Sequence, residues 1–281
     1  MNILIYNKTS YKLSKVITNS YSTSFSLGIK AFAKVYRAPI YAVYAFVRLS
    51  DEIVDTFHDF DKKSLLMKFR EDTMDAINSG ISTNPILNAF QNVVNTYNIE
   101  KESINAFLNS MEMDLNNSSY ERDKYDTYIY GSAEVVGLMC LKVFCNGDNN
   151  KYLELHEPAR MLGAAFQKVN FLRDISSDFK ERGRIYFPNV HNHLQMNNSN
   201  KKKLEEEVQK EFKEALKGIV MLPKGVKLGV YSAYLYYLVL FKKIQRLDIN
   251  ELLKRRIRIS NIKKLGLLLK SIVKVRIFKV T

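Results

Sequence analysis

The chain has 281 residues, 46% of them apolar and 26% charged, which is enough to bury a core without disulfides and too little compositional bias for wholesale disorder. Forty-three Lys and Arg stand against 29 Asp and Glu, and the net charge of +14 asks for an anionic partner such as nucleic acid, a membrane or a phosphorylated substrate. Ten of the basic residues and none of the acidic ones fall in 252–281, so the remainder, 33 basic against 29 acidic, is near balance at +4.

From the N-terminus, MNILIYNKTSYK lacks the apolar stretch and small-residue cleavage site of a signal peptide. No segment approaches about 18 uncharged apolar residues. Together these make the cytoplasm the default location. Gly (11) and Pro (5) are scarce, and strand-like alternation is hard to find. Helical periodicity predicts helices over roughly 38–57, 62–79, 85–97, 101–117, 124–146, 150–180, 201–218 and 223–246, with more helix in the tail. Breakers separate them at Asn78-Ser79-Gly80, at Asn146-Gly147-Asp148 and in the loop 189–200. The pattern predicts an all-α bundle in one domain over 1–260, followed by a basic amphipathic tail over 261–281. Cys140 and Cys145, five apart in an apolar run, read as buried thiols rather than a disulfide or metal pair. His191 and His193 share a polar loop, weak evidence for a metal site.

Two segments carry chemistry. In the first, Tyr44 to Asp55, Asp51 and Asp55 lie four apart on one helix face, with Arg48 three before Asp51 on the same face. Charge at that density in an apolar helix must be paired, solvated or functional. The spacing alone is a weak signal, because Asp55 and Asp59 repeat it at once. The second segment is more specific. At 100° per residue, Gln167, Asn170, Asp174 and Asp178 fall at about 0°, 300°, 340° and 20°, a polar stripe three turns long. Val169, Phe171, Leu172 and Ile175 occupy the other faces. A solvated stripe favours Lys and Glu, whereas Asn and Asp are poor helix formers whose repetition needs a reason. Two helices presenting paired carboxylates into one cavity need cations between them. Oxygen-only ligands favour Mg²⁺, with Mn²⁺ as a substitute, and Arg48 and Arg173 add bidentate donors for phosphate oxygens.

Asp51-Glu-Ile-Val-Asp55 and Gln167-x-x-Asn170-x-x-Arg173-Asp174-x-x-x-Asp178 resemble the two signature motifs of the squalene/phytoene synthase family. Tyr21-Ser-Thr-Ser24-Phe25 resembles its substrate-flap motif, Tyr130-Gly-Ser-Ala-Glu-Val-Val-Gly137 its mid-chain helix, and Arg182-Gly-Arg184-Ile-Tyr186-Phe-Pro188 the segment after the second aspartate motif. The resemblance covers roughly 15–260 and is most like the bacterial phytoene synthases. One departure is Thr23, where the family usually carries Lys or Arg. The resemblance implies an isoprenoid synthase bundle around a central apolar cavity. It also implies head-to-head condensation of two geranylgeranyl diphosphates to phytoene through a cyclopropyl intermediate. The alternative is a C30 product, dehydrosqualene or squalene, from farnesyl diphosphate. Asp51, Asp55, Asn170, Asp174 and Asp178 would hold metal. Arg48 and Arg173 would stabilise the leaving diphosphate, and Ser24, Phe25, Tyr44, Tyr130, Gln167 and Asn170 would meet substrate. Phe25, Tyr44, Tyr130 and Phe166 are candidates for an electron-rich wall, with ordinary core packing the competing reading for all but Tyr44. NADPH is not expected.

In the tail, Arg255, Arg256 and Arg258 precede Ser260, a candidate helix N-cap. Ile262, Leu265, Leu268, Leu269, Ile272 and Val273 then recur at helical spacing, with Lys263, Lys264, Lys270 and Lys274 between them. Such a helix either lies in an anionic membrane interface or closes the bundle with its lysines in water. The confinement of basic charge to one end argues against nucleic acid as partner.

Overall fold

The computed structural model describes residues 2–116, 119–192 and 195–276; His193 and the end of the tail, Lys279 included, lie outside them. Thirteen helices run through the described residues: α1 (Asn2–Tyr21), α2 (Thr23–Lys30), α3 (Lys34–Asp55), α4 (Lys62–Ser79), α5 (Pro85–Tyr97), α6 (Lys101–Asn116), α7 (Arg122–Ile129), α8 (Val135–Cys145), α9 (Asn149–Arg182), α10 (Asn198–Met221), α11 (Lys224–Gln245), α12 (Ile249–Lys254) and α13 (Asn261–Arg276). No strand occurs among the described residues, and a lone bridge joins Ser119 to Ile185. The all-α expectation holds, and the predicted spans from 62 to 116 match almost residue for residue.

Three departures have physical reasons. The predicted helices begin at residue 38, yet α1 and α2 form before it. The buried positions of α1 are Ser10, Ser14 and Thr18, while Leu4, Ile5, Leu13 and Val16 face outward. Each of the three hydroxyls donates to the carbonyl four residues back, at 2.9–3.1 Å, which satisfies it and leaves a slim face to pack along α3 and α5. A helix whose inner face is hydroxyl cannot be found by apolar period.

The predicted single helix over 124–146 is divided by a π-helical turn at Tyr130–Glu134, where Val135 N–H reaches back to Tyr130 C=O. A Cβ on Gly131 would stand 2.4 Å from the Ala106 carbonyl oxygen, and one on Gly163 2.6 Å from that of Ala133. Both positions require glycine because α6, the turn and α9 meet backbone to backbone there. The run Arg122–Cys145 is also long and apolar enough to cross a membrane, contrary to the expectation of none. Its Val135, Leu138, Met139, Leu141 and Val143 are buried in the bundle core, which accounts for the composition.

The core centres on Phe46 of α3, fully buried and stacked 3.8 Å from Phe90, with Phe69 and Phe107 beside it. Losing such a ring typically costs about 3–5 kcal/mol. Cys140 and Cys145 are free thiols, pushed up to about 12 and about 11 by burial, as the buried reading expected. The helix α9 starts on the Asp148 side chain, which accepts from Lys151 N–H at 2.9 Å. It stops at Gly183, whose φ of 65° lets Arg184 N–H bond the Asp178 carbonyl at 3.0 Å. That reversal folds the segment after α9 back towards the end of α3.

Candidate active site

One cavity of about 1210 Å³ opens where α3, α9, α2, α11 and the start of α13 converge. Arg48, Asp51 and Asp55 of α3 line it from one side, and Gln167, Asn170, Arg173, Asp174 and Asp178 of α9 from the other. Ser24, Phe25 and Tyr44 line it as well. Phe25 and Tyr44 stack at 4.8 Å. Phe25, Leu27, Val47, Val54, Met111 and Phe171 make an apolar part of the wall, and much of the rest is polar or charged.

Two predicted residues stand elsewhere. Tyr130 lies outside this cavity, with its ring 5.6 Å beneath the Arg160 guanidinium. Two residues earlier, about 200° round a helix, Tyr128 lines the cavity in its place. Phe166 is not in the wall; it stacks at 4.0 Å behind Tyr237, which is.

The carboxylates are crowded, and each meets an arginine. Loss of water, then the neighbouring Asp55, pushes the Asp51 carboxyl up to about 7, with Arg48 opposing at 3.9 Å. Burial, then Asp174, pushes Asp178 up to about 7 as well. Arg182 bridges the two helices, 3.5 Å from Asp55 and 3.1 Å from Asp178. Arg184 stands 2.8 Å from Asp55. Asp174 is gripped by its neighbour Arg173 at 2.9 Å and by Arg256, from the segment after α12, at 2.7 Å. Arg48 also pairs with Glu52 and lies 4.4 Å over the Tyr21 ring. Asn170 accepts from the Tyr237 hydroxyl at 3.1 Å and donates to Gln167, and these contacts fix the stripe's upper half.

The sequence reading missed several members. Asp114 of α6 is buried in the wall and accepts hydroxyl bonds from Tyr120 (2.9 Å), Tyr128 (2.7 Å) and Tyr186 (2.8 Å). Burial raises its carboxyl, while Arg184 at 3.7 Å and the hydroxyls oppose. A carboxylate between Met113 and Leu115, two residues after Glu112, was the available signal, since a charge among apolar residues needs a partner once buried. Tyr186 stacks on Phe171 at 4.2 Å, extending an aromatic wall that includes Tyr128. Arg182, Arg184 and Arg256 come from segments that the spacing argument did not connect to the aspartates. Lys264 of α13 donates to the Thr23 hydroxyl at 3.5 Å, so a cation from the far end of the chain reaches the flap position that lacks one.

A profile of the squalene/phytoene synthase family matches residues 18–263. The chain is 30% identical over 190 residues to a phytoene synthase of Arthrospira platensis, covering 64% of this chain and 61% of that protein. It is 27% identical over 183 residues to the 4,4'-diapophytoene synthase of Staphylococcus haemolyticus, covering 63% and 62%. These alignments span about three fifths of the relatives' length. Among solved structures, a dehydrosqualene synthase in complex with a ligand matches with a TM-score of 0.80 at 20% identity, over 96% of this chain and 98% of that one. A squalene synthase from Alicyclobacillus acidocaldarius matches at 0.74 and 20%, over 86% and 95%. At such identities these likenesses establish the isoprenoid synthase fold. Two aspartate motifs facing each other across the cavity of that bundle, inside a profile match that spans most of the sequence, place the chain in the squalene/phytoene synthase family.

Proposed function

We propose that the protein is a prenyl transferase that joins two geranylgeranyl diphosphates head to head, giving phytoene through a cyclopropyl diphosphate intermediate. The observation that carries this is the facing of carboxylate pairs on α3 and α9 across one cavity, with arginines interleaved. Mg²⁺, or Mn²⁺ in its place, fits the donor set. Asp51, Asp55, Asn170, Asp174 and Asp178 offer only oxygen, and the burial and mutual repulsion that push Asp51 and Asp178 up are what a cation offsets. Among the described residues no three carboxylates already converge on one ion position. Arg182, Arg184 and Arg256 pair with these aspartates, and binding of metal and substrate would require them to turn aside. When bound, the metal would neutralise charge on the departing diphosphate.

The chain's own residues do the rest. Arg48, Arg173 and Arg256 turn from carboxylates to diphosphate oxygens as the allylic C–O bond breaks, and Lys264 adds a donor beside the flap. The second substrate's double bond attacks the allylic cation, and proton loss closes the cyclopropane. The second diphosphate then leaves, and rearrangement and a further proton loss give the product, with no call for NADPH. The stacked rings of Phe25, Tyr44, Tyr128, Phe171 and Tyr186 face those cations with electron density and exclude water.

The S. haemolyticus relative favours a second reading, C30 synthesis from farnesyl diphosphate. One assay separates them: purified protein and Mg²⁺ with C15 or C20 diphosphate, with and without NADPH, followed by hydrocarbon extraction and mass analysis. Phytoene from the C20 substrate alone is the expected result, and a C30 product alone installs the second reading. No hydrocarbon from either overturns both.

A further inference from the structure

The helix α13 is amphipathic on two sides. Its inner side packs along α11 and lends Leu267 and Leu268 to the cavity wall, with Ser271 buried beneath. Its outer side is aliphatic. Ile262, Leu265, Leu269 and Val273 are 87%, 55%, 57% and 42% exposed. At 100° per residue they fall within about 80° of arc, a single stripe. Lys263, Lys270 and Lys274 fall about 80–120° round from Ile262, so all three line the same flank. No acidic residue occurs anywhere from 252 to the end of the chain. A closing helix would turn its aliphatic stripe inward; here four aliphatic side chains remain in water on a helix whose inner face is already satisfied.

We propose that this outer face docks on an anionic lipid bilayer, with the aliphatic stripe among the acyl chains and the lysine flank against the headgroups. Charge and shape both favour that occupant. The stripe carries no aromatic or hydrogen-bonding side chain of the kind that anchors protein partners, and nucleic acid has no use for aliphatic surface. The 16 residues of α13 give a helix about 24 Å long, enough to lie in the interface plane. The docked helix is itself a wall of the cavity, so docking leaves the cavity one helix away from the lipid. A substrate or product with a long hydrocarbon chain then passes between bilayer and cavity without crossing water. That use of the surface rests on the function proposed above; the docking does not.

The test is co-sedimentation of the full chain with vesicles of phosphatidylcholine alone or mixed with phosphatidylglycerol, in the absence of any prenyl diphosphate. The expected result is binding to the anionic vesicles, at least tenfold weaker to the neutral ones. The double variant Leu265→Asp/Leu269→Asp and the triple variant Lys263→Gln/Lys270→Gln/Lys274→Gln should each lose at least tenfold in affinity. None of these side chains lines the cavity, so thermal unfolding and turnover of detergent-solubilised substrate should stay at wild-type values. Equal binding to both vesicle types, or undiminished binding by either variant, overturns the proposal. So does a wild-type dimer in light scattering that the double variant abolishes while vesicles go unbound, which assigns the stripe to a second copy. Vesicle binding with no turnover would sink the enzymatic reading and leave the docking intact.

Discussion

Two charged sites of opposite sign sit on α9 within three turns of each other, a lysine and a pair of aspartates, and they differ in what they leave unmet. On one face Lys168 is buried between Glu207 at 2.7 Å and Glu211 at 2.5 Å of α10, with Arg122 holding Glu207 from α7. On the other, Asp174 and Asp178 face Asp51 and Asp55 across the cavity, with burial and then repulsion pushing the carboxyls of Asp51 and Asp178 up. The first cluster ties three helices together and lies beside only a small hollow. The second is open to a cavity, and its carboxylates are met by arginines drawn from four separate segments. Charged residues on a long helix therefore say little until one knows whether the opposing elements bring cations or more carboxylates.

The contrast can be broken at either end, and the expected effects have different signs. Asp51→Ala or Asp174→Ala should lower hydrocarbon formation by about 10²–10³-fold or more; the unfolding midpoint should stay or rise in Asp51→Ala, where a crowded buried charge has gone, and fall in Asp174→Ala, where Arg173 loses its carboxylate. A near-normal rate in either variant would show that the carboxylates are not the metal site. Lys168→Met should do the reverse. It strands the buried carboxylate of Glu211, while Glu207 keeps Arg122, so denaturant unfolding should show a loss of about 3–5 kcal/mol, with turnover per folded molecule unchanged. A stable Lys168→Met protein with impaired turnover would mean that the two clusters are not functionally distinct.

The smallest effect concerns pH. Burial pushes the Glu211 carboxyl up to about 7, above its ordinary 4.5, although Lys168 opposes the rise. The folded chain thus keeps that proton longer than the unfolded chain, and wild-type stability falls as pH climbs from about 4.5 through about 7. In Glu211→Gln that component is absent. Between pH 5 and pH 8 the stability difference should move in the variant's favour by on the order of 1 kcal/mol. Parallel pH profiles for the two proteins would show that Glu211 stays ionised throughout.

The stripe Gln167, Asn170, Asp174 and Asp178 was legible because helical geometry fixes which residues share a face, whatever packs against them. Asp51 and Asp55 were legible for the same reason. Asp114 was harder, because a single carboxylate has no spacing to read and its meaning comes from three tyrosines that arrive from two other segments. Tyr130 was misassigned in favour of Tyr128 because the choice between neighbours on one helix depends on which face turns inward. The helix α1 was invisible because its buried face is built of hydroxyls.

By itself the sequence determined the helices with an apolar period, the two aspartate stripes and the concentration of basic charge after residue 251, all of which follow from local geometry and composition. Only the tertiary structure decided that the stripes face one another, that Arg182, Arg184, Arg256 and Lys264 reach the same cavity, and that the aliphatic stripe of α13 points to solvent. Those facts depend on how separate helices are oriented, and helix orientation is settled by packing between elements far apart in the chain.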